Sequence, residues 1–87
     1  MRAQVVVARN IRRLRVSRGL SQEALAVDAA IDRTYVSRLE RELENPTVAV
    51  LEKLAIALGV DIAALFDQNA VRSAVKPLSG GRKRMVG

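Results

Sequence analysis

Two short segments with helical patterning, residues 22–29 and 33–42, are separated by only three residues, 30–32. A side chain that favours the N-cap position stands before each segment, Ser21 before the first and Asp32 before the second. A turn of about three or four residues makes two such helices cross at a steep angle. The spacing therefore predicts a helix-turn-helix motif.

A first helix is predicted upstream of this motif, over about residues 5–18. Val7, Ile11 and Leu14 recur at i, i+4 and i+7, which places them on one stripe of an amphipathic helix. Gly19 comes next, and glycine favours the left-handed conformation that ends many helices.

Two more helices are predicted downstream. The fourth follows Asn45-Pro46-Thr47, where either Asn45 caps the helix with Pro46 at its first position or Thr47 is the cap. It is expected to end at Gly59, after which Asp61 caps a last short helix. The fourth helix is expected to bury Leu51, Leu54, Ala55 and Leu58, and the last helix holds Ile62, Leu65 and Phe66.

These patterns predict an all-α protein, a compact bundle of five helices in residues 5–68. No segment alternates like a β-strand, and about 65 residues can bury one modest core. After Asp67 the apolar periodicity fades, and the sequence closes with KPLSGGRKRMVG. Because proline, glycine and clustered basic residues disfavour a packed structure, residues 69–87 are predicted to form a basic, flexible, disordered tail.

The net charge of +6 is distributed unevenly. Residues 1–18 carry six arginines and no acid, residues 19–69 carry four basic and nine acidic side chains, and residues 70–87 carry five basic side chains and no acid. Two strongly basic ends are typical of a protein that binds nucleic acid. An ordinary solvated basic tail is the alternative interpretation of residues 70–87.

The residue types that are missing exclude several classes of function. Without cysteine or histidine, the chain has no thiolate or imidazole metal site and no Ser-His or Cys-His catalytic pair, so neither an enzyme nor a cofactor is predicted. One tyrosine and one phenylalanine give no platform for stacking single-stranded bases. The longest apolar run, 47–66, is interrupted by three charged residues, so no membrane span is predicted and a cytoplasmic location is expected. No second domain for a small-molecule effector is evident.

In the predicted third helix, residues 32–42, the basic and acidic side chains lie on different faces. At about 100° per residue, one polar face holds five side chains and no acid: Arg33, Thr34, Ser37, Arg38 and Arg41. Glu42 lies off that face, and Glu40 lies beside the apolar stripe. Since acids are not mixed among the arginines, the face suits a polyanion, and these side chains suit the major groove of DNA. A helix that is merely exposed and cationic remains the alternative.

Over residues 7–66 the sequence resembles the Cro/cI-type helix-turn-helix family, also called the XRE or lambda-repressor-like family. The motifs that carry the resemblance are IRRLR at 11–15, GLSQEALA at 19–26, YVSRLER at 35–41, NPT at 45–47 and LEKLAIALGV at 51–60. The resemblance implies a five-helix bundle that places its third helix in the major groove of double-stranded DNA.

The resemblance also implies roles for individual side chains. Base contacts are expected from Arg33, Thr34, Ser37 and Arg38, and phosphate contacts from Gln22, Tyr35, Arg41 and Asn45. Two of these have alternative interpretations: Gln22 serves only as part of a helix cap, and Tyr35 only covers the edge of the core. Arg15 and Glu40 match a pair that forms a buried salt bridge between the first and third helices, so they are expected to orient the third helix and to contact no base.

Two positions depart from the family pattern, which usually has glycine at both. Ala30 is expected to adopt the left-handed conformation that the turn between the second and third helices demands. Glu42 replaces the glycine after the third helix, and Leu43 extends the apolar stripe, so the third helix is expected to continue through these residues. Glu42 and Glu44 would also bring negative charge close to the DNA backbone.

The leading hypothesis is a sequence-specific transcriptional regulator of bacterial or phage type that binds a near-palindromic DNA operator. A homodimer is expected because a single helix-turn-helix unit contacts few base pairs. The predicted dimer interface consists of Ile62, Leu65 and Phe66. Restriction–modification controllers, small phage repressors and antitoxins all remain open. The alternative from a different class is a protein-interaction adaptor that keeps the fold without recognising DNA.

Overall fold

Five α-helices and one 3-10 helix make up residues 2–75, the part of the chain that this computed structural model describes. The α-helices are α1 (Ala3–Ser17), α2 (Gln22–Ala29), α3 (Arg33–Glu40), α4 (Val48–Leu58) and α5 (Gln68–Val75), and the 3-10 helix spans Ile62–Phe66. The prediction of an all-α helical bundle is confirmed. None of the helices in residues 2–75 is long and apolar enough to cross a membrane.

The N-termini of the three central helices are capped by their own preceding residues. Ser21, Asp32 and Thr47 each accept a hydrogen bond from a backbone N–H two or three residues further along, at distances of 2.7–3.2 Å. Each bond satisfies a donor that the first turn of a helix leaves unpaired. Thr47, and not Asn45, is therefore the cap of α4.

Four residues with left-handed backbone end the first four α-helices: Gly19, Ala30, Glu42 and Gly59, with φ between 57° and 70°. After each one, the next backbone N–H donates to the carbonyl five residues earlier, at 2.9–3.1 Å. This is the Schellman arrangement, which pairs carbonyl groups that a helix end would otherwise leave open. The expected left-handed conformation of Ala30 is confirmed, with φ 57° and ψ 44°.

The expectation that the third helix continues past Glu42 is wrong. α3 ends at Glu40, and Glu42 itself adopts the left-handed conformation with φ 66°. The N–H of Leu43 bonds to the carbonyl of Arg38 at 2.9 Å, so the turn closes as a glycine turn would. Leu43 is 50% exposed and does not extend the buried stripe.

The apolar core draws side chains from α1 to α4 and from the 3-10 helix. Its members are Val7, Ile11, Leu14, Leu25, Ala26, Ala29, Val36, Leu39, Leu51, Leu54, Ala55, Leu58 and Leu65. α1 contacts α3, α4, α5 and the 3-10 helix, while α2 packs against α3 and α4. Leu65 is 0% exposed within this core, so its prediction as a dimer-interface residue is wrong.

The predicted start of the C-terminal tail also needs correction. Residues 68–75 form α5, which packs against α1 and buries Val71 to 2% exposure. Asp67 caps this helix, since its Oδ1 accepts the N–H of Ala70 at 3.0 Å. A helix of eight residues offers only about two turns of apolar period, which is too short for recognition from sequence. The rest of the predicted tail, residues 76–87, lies outside the described residues.

Asn10 joins α1 to the C-terminal part of the fold from a fully buried position. Its Nδ2 donates to the carbonyl oxygens of Leu65 and Asp67 at 3.1 and 3.0 Å, and its Oδ1 accepts from Arg13 Nη2 at 3.0 Å. Because a buried amide is tolerated only when its hydrogen bonds are made, Asn10 fixes where the chain leaves the 3-10 helix.

Candidate nucleic-acid interface

The outward face of α3 carries the side chains that were predicted to contact bases. Val36 and Leu39 are 0% exposed and hold the opposite face of α3 against the core. The side chains predicted to contact bases consequently lie together on the outside: Arg33, Thr34 and Arg38 are exposed, and Ser37 is partly exposed. Arg41, the residue directly after α3, is exposed as well.

An ion pair between α1 and α3 determines the orientation of this face. Arg15 Nε and Nη2 donate to the two carboxylate oxygens of Glu40 at 2.6 and 2.9 Å. The side chains are only 13% and 4% exposed, respectively. The hydrogen bond to Glu40 raises the pKa of Arg15 above its ordinary value, so the guanidinium stays charged at any pH of interest. Arg15 Nη1 also donates to the carbonyl of Leu20 at 2.8 Å. The same guanidinium therefore also holds the backbone just before α2.

Gln22, the first residue of α2, extends this network. Its Nε2 donates to Glu40 Oε1 at 3.0 Å, and its side chain is half-buried. The contact ties the beginning of α2 to the end of α3. An amide nitrogen carries two N–H donors and this contact uses one of them, so the predicted phosphate contact is chemically compatible with it and stays a prediction.

Glu44 lies against the cationic face of α3. The helical projection of residues 32–42 did not predict this contact. Its Oε2 accepts from Arg38 Nε at 2.8 Å, and Arg38 Nη2 also donates to the carbonyl of Leu43 at 3.3 Å. A helical projection cannot place this acid, because Glu44 belongs to the loop after α3. The left-handed turn at Glu42 brings that loop back towards the helix.

The loop that carries Glu44 is held by α1. Gln4 Nε2 donates to the backbone carbonyls of Glu42 and Glu44 at 3.2 and 2.7 Å. Arg9 adds a longer ion pair, with 3.8 Å between its Nε and Glu42 Oε2. Sequence reasoning assigned no role to Gln4 or Arg9, since nothing in a helical pattern shows which distant loop a side chain will meet.

Two predicted phosphate ligands flank the face. Tyr35 is half-buried against the edge of the core, and the pKa of its phenol is raised by this burial and by the negative charge of Glu44. The phenol therefore keeps its proton near neutral pH and can donate a hydrogen bond. Asn45 is exposed in the loop after α3.

The other two predicted dimer-interface residues, Ile62 and Phe66, lie at the two ends of the 3-10 helix. Ile62 is partly buried against the core, whereas Phe66 is 44% exposed. Phe66 borders an apolar cleft of about 200 Å³ between α1, the loop after α3 and the first turn of α4. Val48, on the rim of that cleft, is 68% exposed.

A helix-turn-helix family model, HTH_3, matches residues 11–65. The chain belongs to this family. The matched residues comprise α2, α3, α4 and the C-terminal part of α1, so the Cro/cI-type resemblance is confirmed over the part that carries the charged face. Among residues 2–75, no group of three or more acidic, histidine or cysteine side chains is placed to hold a metal ion.

Several helix-turn-helix proteins are similar to this chain. A Neisseria hypothetical transcription factor from Neisseria meningitidis serogroup B is 49% identical over 57 residues, 66% of this chain and 54% of the relative. The restriction-modification controller protein C.AhdI from Aeromonas hydrophila superposes with a TM-score of 0.71 at 40% identity, covering 72% of this chain and 96% of that one. The controller protein C.Esp1396I, solved as a tetramer in complex with its natural 35 base-pair operator, superposes with a TM-score of 0.72 at 30% identity, covering 84% and 93%. The chain spans about half the length of three curated relatives that it matches.

Proposed function

We propose that the protein is a sequence-specific transcriptional regulator that binds double-stranded DNA with α3 in the major groove. The observation that carries the proposal is the outward face of α3, where Arg33, Thr34, Ser37 and Arg38 stand together on a helix held by the Arg15–Glu40 pair. Arginine can donate two parallel hydrogen bonds to guanine, and the hydroxyl groups can bond to bases or phosphates. A helix fixed by a bidentate ion pair presents these groups in one orientation, which direct recognition requires.

Phosphate contacts are assigned to the rim of the same surface. The donors are amide, phenol and guanidinium groups, carried by Gln22 at the start of α2, Tyr35 within α3, Arg41 directly after α3 and Asn45 in the following loop. Such contacts set the register of a protein on the duplex and supply most of the salt-dependent affinity. A controller that is 30% identical to this chain was solved in complex with its operator, which supports DNA as the partner.

The proposal includes a homodimer and a cytoplasmic location. Phe66 and the partly buried Ile62 remain as candidate interface residues once Leu65 is assigned to the core. Dimerisation places two α3 helices on one duplex, so the operator should be a near-palindrome with half-sites about one helical turn apart, or a multiple of it.

A protein-interaction adaptor is the second candidate function. The observation that favours it is the apolar cleft beside Phe66 and Val48, together with the acids of the loop after α3. An adaptor of this kind would bind a partner through the cleft and would show no preference among DNA sequences.

Selection from a pool of random DNA duplexes distinguishes these two functions. The full-length protein is incubated with the pool at low and moderate salt, and bound duplexes are separated by gel shift and sequenced. A DNA-binding regulator enriches one discrete motif above a background that weakens with salt. Uniform recovery of all sequences, or no shift at either salt concentration, would overturn the proposed function.

A further inference from the structure

The guanidinium of Arg38 is held along one edge by the loop after α3. Nε donates to Glu44 Oε2 at 2.8 Å, and Nη2 donates to the carbonyl of Leu43 at 3.3 Å. We propose that Glu44 is a positioning residue that orients Arg38 towards a single base pair of the bound DNA, an inference that rests on the proposed function. Glu44 itself contacts no base in this proposal.

The donors of Arg38 that remain are suited to this role. A guanidinium has five N–H groups, and the contacts with Glu44 and Leu43 use the N–H of Nε and one N–H of Nη2. Three donors stay available, on Nη1 and Nη2, and these two nitrogens form the outer end of the group. Two parallel donors of this kind match O6 and N7 of guanine. Pairing with Glu44 therefore leaves the capacity for a bidentate base contact intact.

The backbone of Glu44 is fixed by a hydrogen bond from α1. Gln4 donates to the backbone carbonyl of Glu44 at 2.7 Å and to that of Glu42 at 3.2 Å, which fixes the loop to α1. Glu44 is 29% exposed and Arg38 is 44% exposed, and ion pairs this open to solvent add little to stability. Orientation is the larger effect, since an arginine held before binding loses less rotamer freedom when it reaches DNA.

The opposite role for Glu44, as a competitor of DNA for Arg38, predicts a different outcome. Under competition, removal of the carboxylate would strengthen binding to every DNA sequence and would leave the preference at each base pair unchanged. Under positioning, removal of the carboxylate weakens the preference at the one base pair that Arg38 contacts.

The test uses the full chain and the motif that it selects from random duplexes. The variants are Glu44→Gln, Arg38→Ala, their combination, and Glu42→Gln as a matched control that removes another acid from the same loop. For each variant, affinity is measured at fixed salt for the selected site and for single-base-pair changes of it. Circular dichroism should show that all variants fold, because each substituted side chain is exposed or partly exposed.

Arg38→Ala should abolish discrimination of about 5- to 150-fold at one base pair of each half-site. Glu44→Gln should lower discrimination at that same base pair at least threefold, and it should have no further effect when Arg38 is already alanine. Glu42→Gln should leave discrimination unchanged at every position.

Two results would overturn the inference. The first is unchanged discrimination among base pairs in Glu44→Gln. This includes the case in which Glu44→Gln, like the control Glu42→Gln, binds all sequences more tightly. The second is discrimination that is lost at a base pair that Arg38→Ala does not affect. If the wild-type protein selects no motif, the proposed function fails, and the inference that rests on it fails too. A selected motif without dependence on Glu44 contradicts the inference alone.

Discussion

Arg15 and Glu40 join α1 to α3 through two parallel hydrogen bonds of 2.6 and 2.9 Å at a nearly solvent-free site. Glu40→Ala should therefore leave an almost buried guanidinium unpaired and cost roughly 3–5 kcal/mol of unfolding free energy. Urea unfolding followed by circular dichroism measures this cost. Arg12→Ala, at an exposed position of the same helix, should change stability by less than about 0.5 kcal/mol. Equal effects of the two variants would mean that the pair contributes no more than a surface charge.

Ala30→Gly should stabilise the protein, because Ala30 adopts φ 57° and glycine reaches this conformation without a Cβ clash. The gain should be on the order of 1 kcal/mol and should appear as a higher Tm in thermal unfolding. Ala24→Gly provides the control, since Ala24 lies within α2 and a helical glycine costs about 1 kcal/mol relative to alanine. A lower Tm for both variants would show that the turn gains nothing from glycine.

Asn10→Leu should destabilise the attachment of the 3-10 helix and α5. The substitution keeps the approximate size of the side chain but leaves the carbonyls of Leu65 and Asp67 without their donor. A loss of about 1–3 kcal/mol is expected. Hydrogen exchange should show faster exchange across α5 before the rest of the fold opens. Asn69→Leu, at an exposed position, should leave exchange in α5 nearly unchanged.

Arg38 and Arg41 should differ in how they contribute to DNA binding. Arg38→Ala should cost about 1–3 kcal/mol on the selected site and relax the preference at one position of each half-site. Arg41→Ala should weaken binding to all sequences alike and lower the slope of log affinity against log salt by about one, as loss of a phosphate contact would. Binding over a salt series separates the two. The same uniform loss for both variants would mean that α3 acts only as a general cation.

Phe66→Ser should weaken self-association if the exposed ring lies in a dimer interface. Sedimentation at tens of micromolar protein should shift from dimer towards monomer, and binding to a palindromic site should lose its cooperativity. Ile56→Ser is the matched control, because Ile56 on α4 is 79% exposed and is not a proposed interface residue. A wild-type protein that is monomeric under these conditions and remains monomeric on DNA would contradict the proposed dimer.

The sequence was informative wherever structure depends on neighbouring residues. The caps at Ser21 and Asp32 were predictable because each follows from the chemistry of a few consecutive residues, and the left-handed turn at Ala30 was predictable from the family resemblance. The pairing of Arg38 with Glu44 was not predictable. A helical projection covers only the residues of the helix, so it cannot show a contact with a loop that folds back. The burial of Leu65 was missed for a related reason: an apolar residue in a short segment fits a core and an interface equally well until its neighbours are known.

α3 has a non-glycine left-handed residue on either side, Ala30 before it and Glu42 after it, while the supporting helices α1 and α4 end at glycines. Each of these two residues holds strain that one substitution to glycine would release, on the order of 1 kcal/mol apiece. That strain is a stability reserve located next to the helix whose exposed residues would have to change for a new DNA target. Substitutions on α3 that change the DNA target can lower the free energy of unfolding. Glycine at Ala30 or Glu42 would offset that loss without any change in the core.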